Sequence, residues 1–338
     1  MFIALSDRYT FAKKMKIIGL LLFLSAIVYS PQLMGQDVTP PPDPKTVKVL
    51  FTVIDKDKQQ ISTIGKDDLN LVEDGIPQKI SDLKSQRNVP ISLAIILDSS
   101  ASQEAVLPLN KIAAQAFLKA IIRQGQDQAT IISMAERVSV EQPLTDELAK
   151  LQAAINSVKF VPPPGYVGGG VIVSNSPPKG HSSAGSTGLW DALFFACETA
   201  LSPAKAGTRK AIVLFSDGVD TGSHLKMYQA VEQAFKQDVA IYSVGVGNKR
   251  EFGLESGKLR KISEQTGGRA YFPEKTDELQ SGLQQILQEL RTQYVLTFVP
   301  YGVGSKEGYR KLKLSLVDSG KKGDKLNIAH RQGYFPER

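Results

Sequence analysis

From Pro90 onward, short continuous apolar runs alternate with stretches whose apolar residues recur every three or four positions. That alternation restricts the chain to few folds. Residues 91–97 form the first run, ending in Asp98. A strand with no polar alternation is one buried on both faces of a parallel sheet. Leu109, Ile112, Ala113, Ala116, Phe117, Ala120 and Ile121 follow at helical spacing and predict one apolar helix face. Further buried strands are predicted at 129–134, 211–216, 239–246 and 269–272. Between them the spacing predicts helices after Thr145 (Leu148, Leu151, Ile155, Val158), from Leu189, over 226–237 and before Gly267-Gly268. A last helix, capped by Thr276, carries Leu279, Leu283, Ile286, Leu287 and Leu290 on one face. Strands interleaved with helices predict an α/β fold, a doubly wound and mostly parallel sheet, over residues 89–292.

The flanks obey a different period. Val47, Val49, Phe51 and Val53 alternate with Lys48 and Thr52, as in a half-buried strand. Asp74-Gly75 separates two strand-like runs, 69–72 and 78–83, and reads as a hairpin turn. Beyond Tyr294, Leu312, Leu314 and Leu316 alternate with Lys311, Lys313 and Ser315. Each flank is too short to bury a core alone. Residues 47–88 and 293–338 are therefore expected to pair into one small β-sandwich, with the α/β domain inserted between them.

Ahead of the first strand, Arg8, Lys13, Lys14 and Lys16 precede an apolar run over 17–29. That run is short for a membrane span and suits a signal-peptide core, so 1–36 reads as a targeting segment and the protein as exported, periplasmic or extracellular. Residues 37–46 form a stiff proline-rich leader. Loss of 1–36, with four basic side chains and one acid, lowers the formal charge from +7 to +4. The remaining lysines are scattered, which gives nucleic-acid binding no support. Cys197 stands alone in an apolar stretch and reads as a small buried hydrophobe.

The chemistry concentrates at the first βα turn, Asp98-Ser99-Ser100-Ala101-Ser102. In an extended segment, side chains two apart point the same way, so Asp98, Ser100 and Ser102 would converge just past the strand. Asp217 ends another buried strand, and Thr187 precedes a helix. Groups at the carboxyl ends of strands in a doubly wound sheet face one crevice. Two carboxylates and three hydroxyls meeting there would repel without a cation. All five offer hard oxygen ligands and no Cys or His joins them, which suits Mg²⁺, with Mn²⁺ or Ca²⁺ as alternatives, and argues against Zn²⁺ or copper.

Asp98-x-Ser100-x-Ser102, Thr187 and the Phe215-Ser-Asp-Gly218 strand end resemble the metal-ion-dependent adhesion site of von Willebrand factor A domains. The resemblance covers about 89–292. The flanks resemble the acidobacterial-type VWFA-related subgroup through Val53-Ile-Asp55, Leu71-Val-Glu-Asp-Gly-Ile-Pro77, Tyr294-Val-Leu and Arg331-Gln-Gly-Tyr334. It implies a divalent cation held by Asp98, Ser100, Ser102, Thr187 and Asp217, and a protein or envelope ligand whose acidic side chain completes the metal shell. Two departures stand out: Ala101, where the family usually has Gly, and a Pro/Gly/Ser-rich insertion over 160–186.

Other readings of the same residues fare worse. Ser100, His224 and Asp217 could be imagined as a hydrolase triad, but the Gly-x-Ser-x-Gly elbow is missing. Gly168-Gly-Gly170 is followed by no Lys-Ser/Thr and so is no phosphate loop. Asp191 and Asp220 read as outer carboxylates. The expectation is a non-enzymatic, metal-dependent binding or adhesion protein; the alternative is a structural or assembly subunit of a cell-envelope complex, with the α/β domain as scaffold.

Overall fold

The computed structural model describes residues 46–56, 59–61, 63–162, 166–168, 171–172, 187–245, 254–301, 308–317 and 326–336. Residues 1–36, expected from sequence to be a targeting segment, nearly all of 37–46 and most of the 160–186 insertion lie outside the described residues.

The chain enters through β1 (Val47–Ile54), β2 (Leu69–Glu73), β3 (Ile76–Gln78) and β4 (Ile80–Arg87). Then follow β5 (Ile91–Asp98), α1 (Leu107–Ile121), β6 (Gln128–Met134), β7 (Val138–Thr145) and α2 (Leu148–Ser157). A small hairpin, β8 (Tyr166–Gly168) and β9 (Val171–Ile172), precedes α3 (Leu189–Phe195), which runs into one wide turn over Ala196–Ala200. The rest is β10 (Arg209–Ser216), α4 (Met227–Lys236), β11 (Val239–Gly245), α5 (Ser256–Gln265), β12 (Ala270–Tyr271) and α6 (Thr276–Arg291). The last strands are β13 (Thr292–Phe298), β14 (Arg310–Leu316), β15 (Asn327–His330) and β16 (Gly333–Tyr334).

Six strands form the central sheet in the order β12-β11-β10-β5-β6-β7, all parallel except the edge strand β7. All eight residues of β5 are buried because both of its faces are covered. Ile91, Leu93, Ile95 and Leu97 pack with Phe117, Leu151 and Ile286 from α1, α2 and α6. Ala94 and Ile96 point the other way, onto Leu193, Ala230 and Ile262 from α3, α4 and α5. Gly267-Gly268 marks where the chain passes closest to the sheet: a Cβ on Gly268 would sit 2.1 Å from the Ile241 carbonyl oxygen.

The flanks build two four-stranded sheets, β15-β1-β13-β4 and β16-β14-β2-β3. Each contains strands from before and after the α/β domain. Phe51, Leu71, Leu296 and Leu314 from both sheets share one core, so the arrangement is a sandwich. Asp74 and Gly75 turn the β2–β3 hairpin with φ of 47° and 89°, the left-handed pair a tight two-residue turn needs. The run 78–83 is split at Lys79, with β3 in one sheet and β4 in the other.

Some local expectations shift. On α1 the buried set is Leu107, Asn110, Ala113, Ala114, Phe117, Leu118 and Ile121, whereas Ile112 is 65% exposed. The stripe is rotated because Asn110, polar by sequence, takes a core position. Thr276 is the first helical residue of α6, and Lys275 occupies the cap without a side-chain hydrogen bond. Thr145, after which a helix was expected, ends β7, and its hydroxyl accepts from Glu147 N at 3.2 Å just before α2 begins.

Candidate metal centre

β5 and β10 are neighbours at the middle of the sheet, and the chain departs from them in opposite directions, to β6 and to β11. This is the switch point where a crevice opens at the strand ends. Asp98 closes β5 and Asp217 directly follows β10; they are 0% and 1% exposed. The two strands are tied there by Ser216 Oγ, which donates to Asp98 Oδ2 at 2.6 Å.

Past Asp98 the chain does not stay extended. Ser100 remains extended, with φ −69° and ψ 170°, but Ala101–Gln103 form a single 3₁₀ turn. Convergence of the two hydroxyls thus comes from a turn, with Ser100 Oγ and Ser102 Oγ 3.3 Å apart. Ala101 is not among the described residues with positive φ, so its methyl is accommodated without strain. The left-handed position falls on Gly218 instead, at φ 82°, where a Cβ would lie 2.7 Å from Leu259 Cγ. A glycine after Asp217 is therefore required both by the turn and by the close packing of α5.

Hydrogen bonds hold four of the five candidate ligands in place. Asp98 Oδ1 accepts from Ser100 N at 3.0 Å. Asp217 Oδ1 accepts from Val219 N at 2.9 Å. The Ser100 and Ser102 hydroxyls share one hydrogen bond at 3.3 Å, which leaves lone pairs on both oxygens. Among the described residues no Lys or Arg forms a salt bridge with Asp98 or Asp217. Burial first, and then the neighbouring charge of Asp217, push the Asp98 carboxyl up to about 7. Burial likewise raises Asp217. Two buried, unneutralised carboxylates with hydroxyl oxygens beside them fit a small hard cation.

Thr187 is brought to the same end of the sheet by its backbone. Its carbonyl accepts from Thr221 N and Gly222 N, and its N–H donates to Thr221 Oγ1 at 3.0 Å. Gly188 N then donates to Ala135 O, just past β6, while Ser99 N donates to Met134 O. Thr187, 3% exposed, is thus held between the ends of β6 and β10. Asp220 and Asp191 act on the scaffold. Asp220 Oδ1 accepts from Leu189 N at the start of α3, and Asp191 accepts from His224 N and Leu225 N.

Two site residues escaped the sequence reading. Ser216 could have been found, since it precedes Asp217 and faces the neighbouring strand. Gln103 could not: it is fully buried, and its Nε2 donates to Asp217 Oδ2 at 3.0 Å across 114 residues of sequence. The start of the insertion also borders the site, with Val161 N donating to Ser99 O and Tyr166 hydrogen-bonded to Glu104.

Two family models described as von Willebrand factor type A domain match the chain, one over residues 93–219 and one over 179–289. No curated protein matches. Among solved structures, proximal thread matrix protein 1 from the mussel byssus is similar at 20% identity and a TM-score of 0.47, over 63% of this chain and 49% of that one. The chain therefore spans about half the length of that protein. A von Willebrand factor type A protein from Catenulispora acidiphila matches at 12% identity and TM-score 0.45, over 82% of this chain and 76% of that one. BatB from Bacteroides thetaiotaomicron matches at 16% and 0.41, over 60% and 98%. The family matches run from strand β5 through helix α6 and take in both carboxylates and all three hydroxyls of the site, and the chain belongs to the von Willebrand factor type A domain family.

Proposed function

We propose that this protein is an exported, non-enzymatic binding protein whose Asp98, Ser100, Ser102, Thr187 and Asp217 hold one divalent cation, Mg²⁺ before Mn²⁺ or Ca²⁺. The observation that carries the reading is the pair of buried carboxylates, close enough for the charge of Asp217 to raise Asp98, at the strand ends beside the hydrogen-bonded Ser100 and Ser102 hydroxyls. When bound, the cation supplies a Lewis-acidic position to which an outside carboxylate attaches. The partner is a protein or envelope ligand offering an acidic side chain. The chain's own groups orient the site: Ser216 and Gln103 fix the carboxylates, and Thr221 holds the backbone of Thr187.

Titration of Mg²⁺ into chelator-stripped protein tests the cation, with Asp217→Ala as the control that should lose it. Titration repeated with a captured envelope partner tests the bridge. Coupling between two ligands is reciprocal, so the partner must raise metal affinity by the factor that metal raises partner affinity. Equal metal affinities with and without partner would mean that the domain serves as scaffold.

A further inference from the structure

We infer that His330 is an acid-sensitive latch: its neutral ring closes the corner where both sheets of the sandwich meet the α/β domain, and protonation of the ring opens it.

At His330 the chain leaves β15 in one sheet and crosses to β16 in the other. β16 covers only the start of β14, pairing with Arg310 and Lys311. The amides of Leu312 and Leu314, two apart, lie on one edge of β14, and the crossing chain meets both. Leu312 N donates to Gln332 O at 2.8 Å, and Leu314 N donates to His330 Nε2 at 3.1 Å. The imidazole thus stands where a strand carbonyl would be. The next two residues fasten the same corner to the α/β domain. Arg331 pairs with Thr266, Gln332 N donates to Gln265 O at 2.8 Å, and the Arg331 guanidinium bonds to Asp238. A Cβ on Gly267 would lie 2.8 Å from Arg331 N, so the two segments pass in close contact.

A ring nitrogen that accepts a hydrogen bond carries no proton. Nε2 is therefore bare, and Nδ1 holds the proton that it donates to Arg331 O at 2.7 Å. Only this neutral tautomer satisfies both contacts. A proton on Nε2 would set two N–H donors against each other and leave Leu314 N without its acceptor. Arg260 and Glu264 of α5, together with Arg269, share a polar cavity with the ring. Lys311 and Lys313 of β14 are exposed on the face opposite Leu312 and Leu314, and Lys48 of β1 is exposed as well. Among the described residues no carboxylate forms a salt bridge with His330, so its surroundings do not favour a second proton. Burial holds the ring below the ordinary histidine range, which the Arg331 carbonyl only partly opposes. A depressed folded value means that the contribution is present above ~6.5 and is lost as pH falls below it.

Asp98 titrates over the same range in the opposite sense, so the readout is local amide exchange rather than overall stability. Hydrogen exchange is followed by NMR in the full-length protein and its His330→Gln variant at pH 8 and pH 5, with rates corrected for intrinsic pH dependence. The glutamine amide reaches the position of Nε2, accepts from Leu314 N and takes up no proton. In the wild type, protection at Leu314 N should fall by up to roughly 30-fold at pH 5, the excess of protonated over neutral imidazole in a free histidine at that pH. Gln332 N should lose protection with it. In His330→Gln both should keep their pH 8 protection. An unchanged wild type, or an equal fall in the two proteins, overturns the latch. If His330→Gln does not fold, the ring-nitrogen shifts of the wild type decide. A bare Nε2 at pH 8 with a titration midpoint below ~6.5 supports the latch, and a protonated Nε2 at pH 8 or a midpoint at or above that value overturns it.

Discussion

Ser216 Oγ donates a 2.6 Å hydrogen bond to Asp98 Oδ2, joining the ends of the two strands that carry the candidate site. The bond makes the carboxylates part of one rigid layer, because β5 and β10 are paired along their whole length below it. Neither carboxylate can swing away to relieve repulsion from the other. The consequences appear first as pH dependence.

Burial and the charge of Asp217 raise Asp98 to about 7, while an aspartate in the unfolded chain titrates near ~3.9. The folded state holds this proton more tightly than the unfolded one. Its contribution to stability is therefore fully present below the unfolded value and is lost as pH rises through about 7. In chelator, the melting temperature should be higher at pH 5 than at pH 8. Excess Mg²⁺ should raise the pH 8 value most, since the cation binds the ionised pair. Identical melting temperatures at both pH values in chelator would contradict this account.

Asp98→Asn separates metal binding from stability. The amide still accepts from Ser100 N and can meet the Ser216 hydroxyl, while one of two repelling charges is gone. The metal-free variant should melt at or above the wild-type temperature and lose most of its pH dependence between 5 and 8. Its Mg²⁺ affinity should fall by more than the roughly 10–100-fold typical of an outer-shell loss. Thermal melts in chelator and calorimetric titration measure the two effects independently.

What could be read from sequence follows from where the free energy lies. β5 shows as eight consecutive buried positions, because a strand covered on both faces is apolar from Leu93 to Leu97, with Ser92 near its start hydrogen-bonded to Thr208. β7 did not show: it is an edge strand with an exposed side, and Glu141, Gln142 and Pro143 break its apolar pattern. The helical stripe of α1 was misplaced because periodicity counts Ile112 as core and Asn110 as surface, and packing reverses both. That Asp98 and Asp217 meet at the ends of neighbouring buried strands was legible from side-chain chemistry and position along the chain. Gln103 was not, because its role depends on a contact with a residue 114 positions away.

At the opposite end of the sheet, Asp127 provides a control unrelated to metal. It is fully buried and accepts from Ile91 N at 2.9 Å, from Arg123 and from both terminal nitrogens of Arg291. It pins the start of β5 to the ends of α1 and α6. These donors hold its carboxyl well below the usual range, so its contribution is present above ~3.9 and is lost as pH falls further. Asp127→Ala leaves two guanidinium groups without their partner and should cost about 3–5 kcal/mol. Mg²⁺ affinity should be unchanged in any variant protein that remains folded, as read by urea unfolding and titration.

The sandwich makes the sharpest demand on the chain ends. β13 lies inside one sheet, paired with β1 over Val47–Phe51 and with β4 over Ile80–Arg87. β14 lies inside the other sheet, paired with β2 and β16. Removing 292–338 thus takes an interior strand from each sheet rather than trimming an edge. Val49, Phe51, Val53, Leu69 and Leu71, all buried, would lose Tyr294, Leu296, Phe298, Leu312 and Leu314 as packing partners. Burying each such side chain is worth about 1.5–3 kcal/mol, so the exposed set exceeds the whole stability of an ordinary domain. β1 and β4 would also present unpaired edges, which recruit other chains. A 47–291 fragment should accordingly aggregate or bind a hydrophobic dye, whereas 89–291 should stay soluble. A 47–291 fragment that unfolds cooperatively as a monomer would show that the N-terminal strands do not depend on β13 and β14.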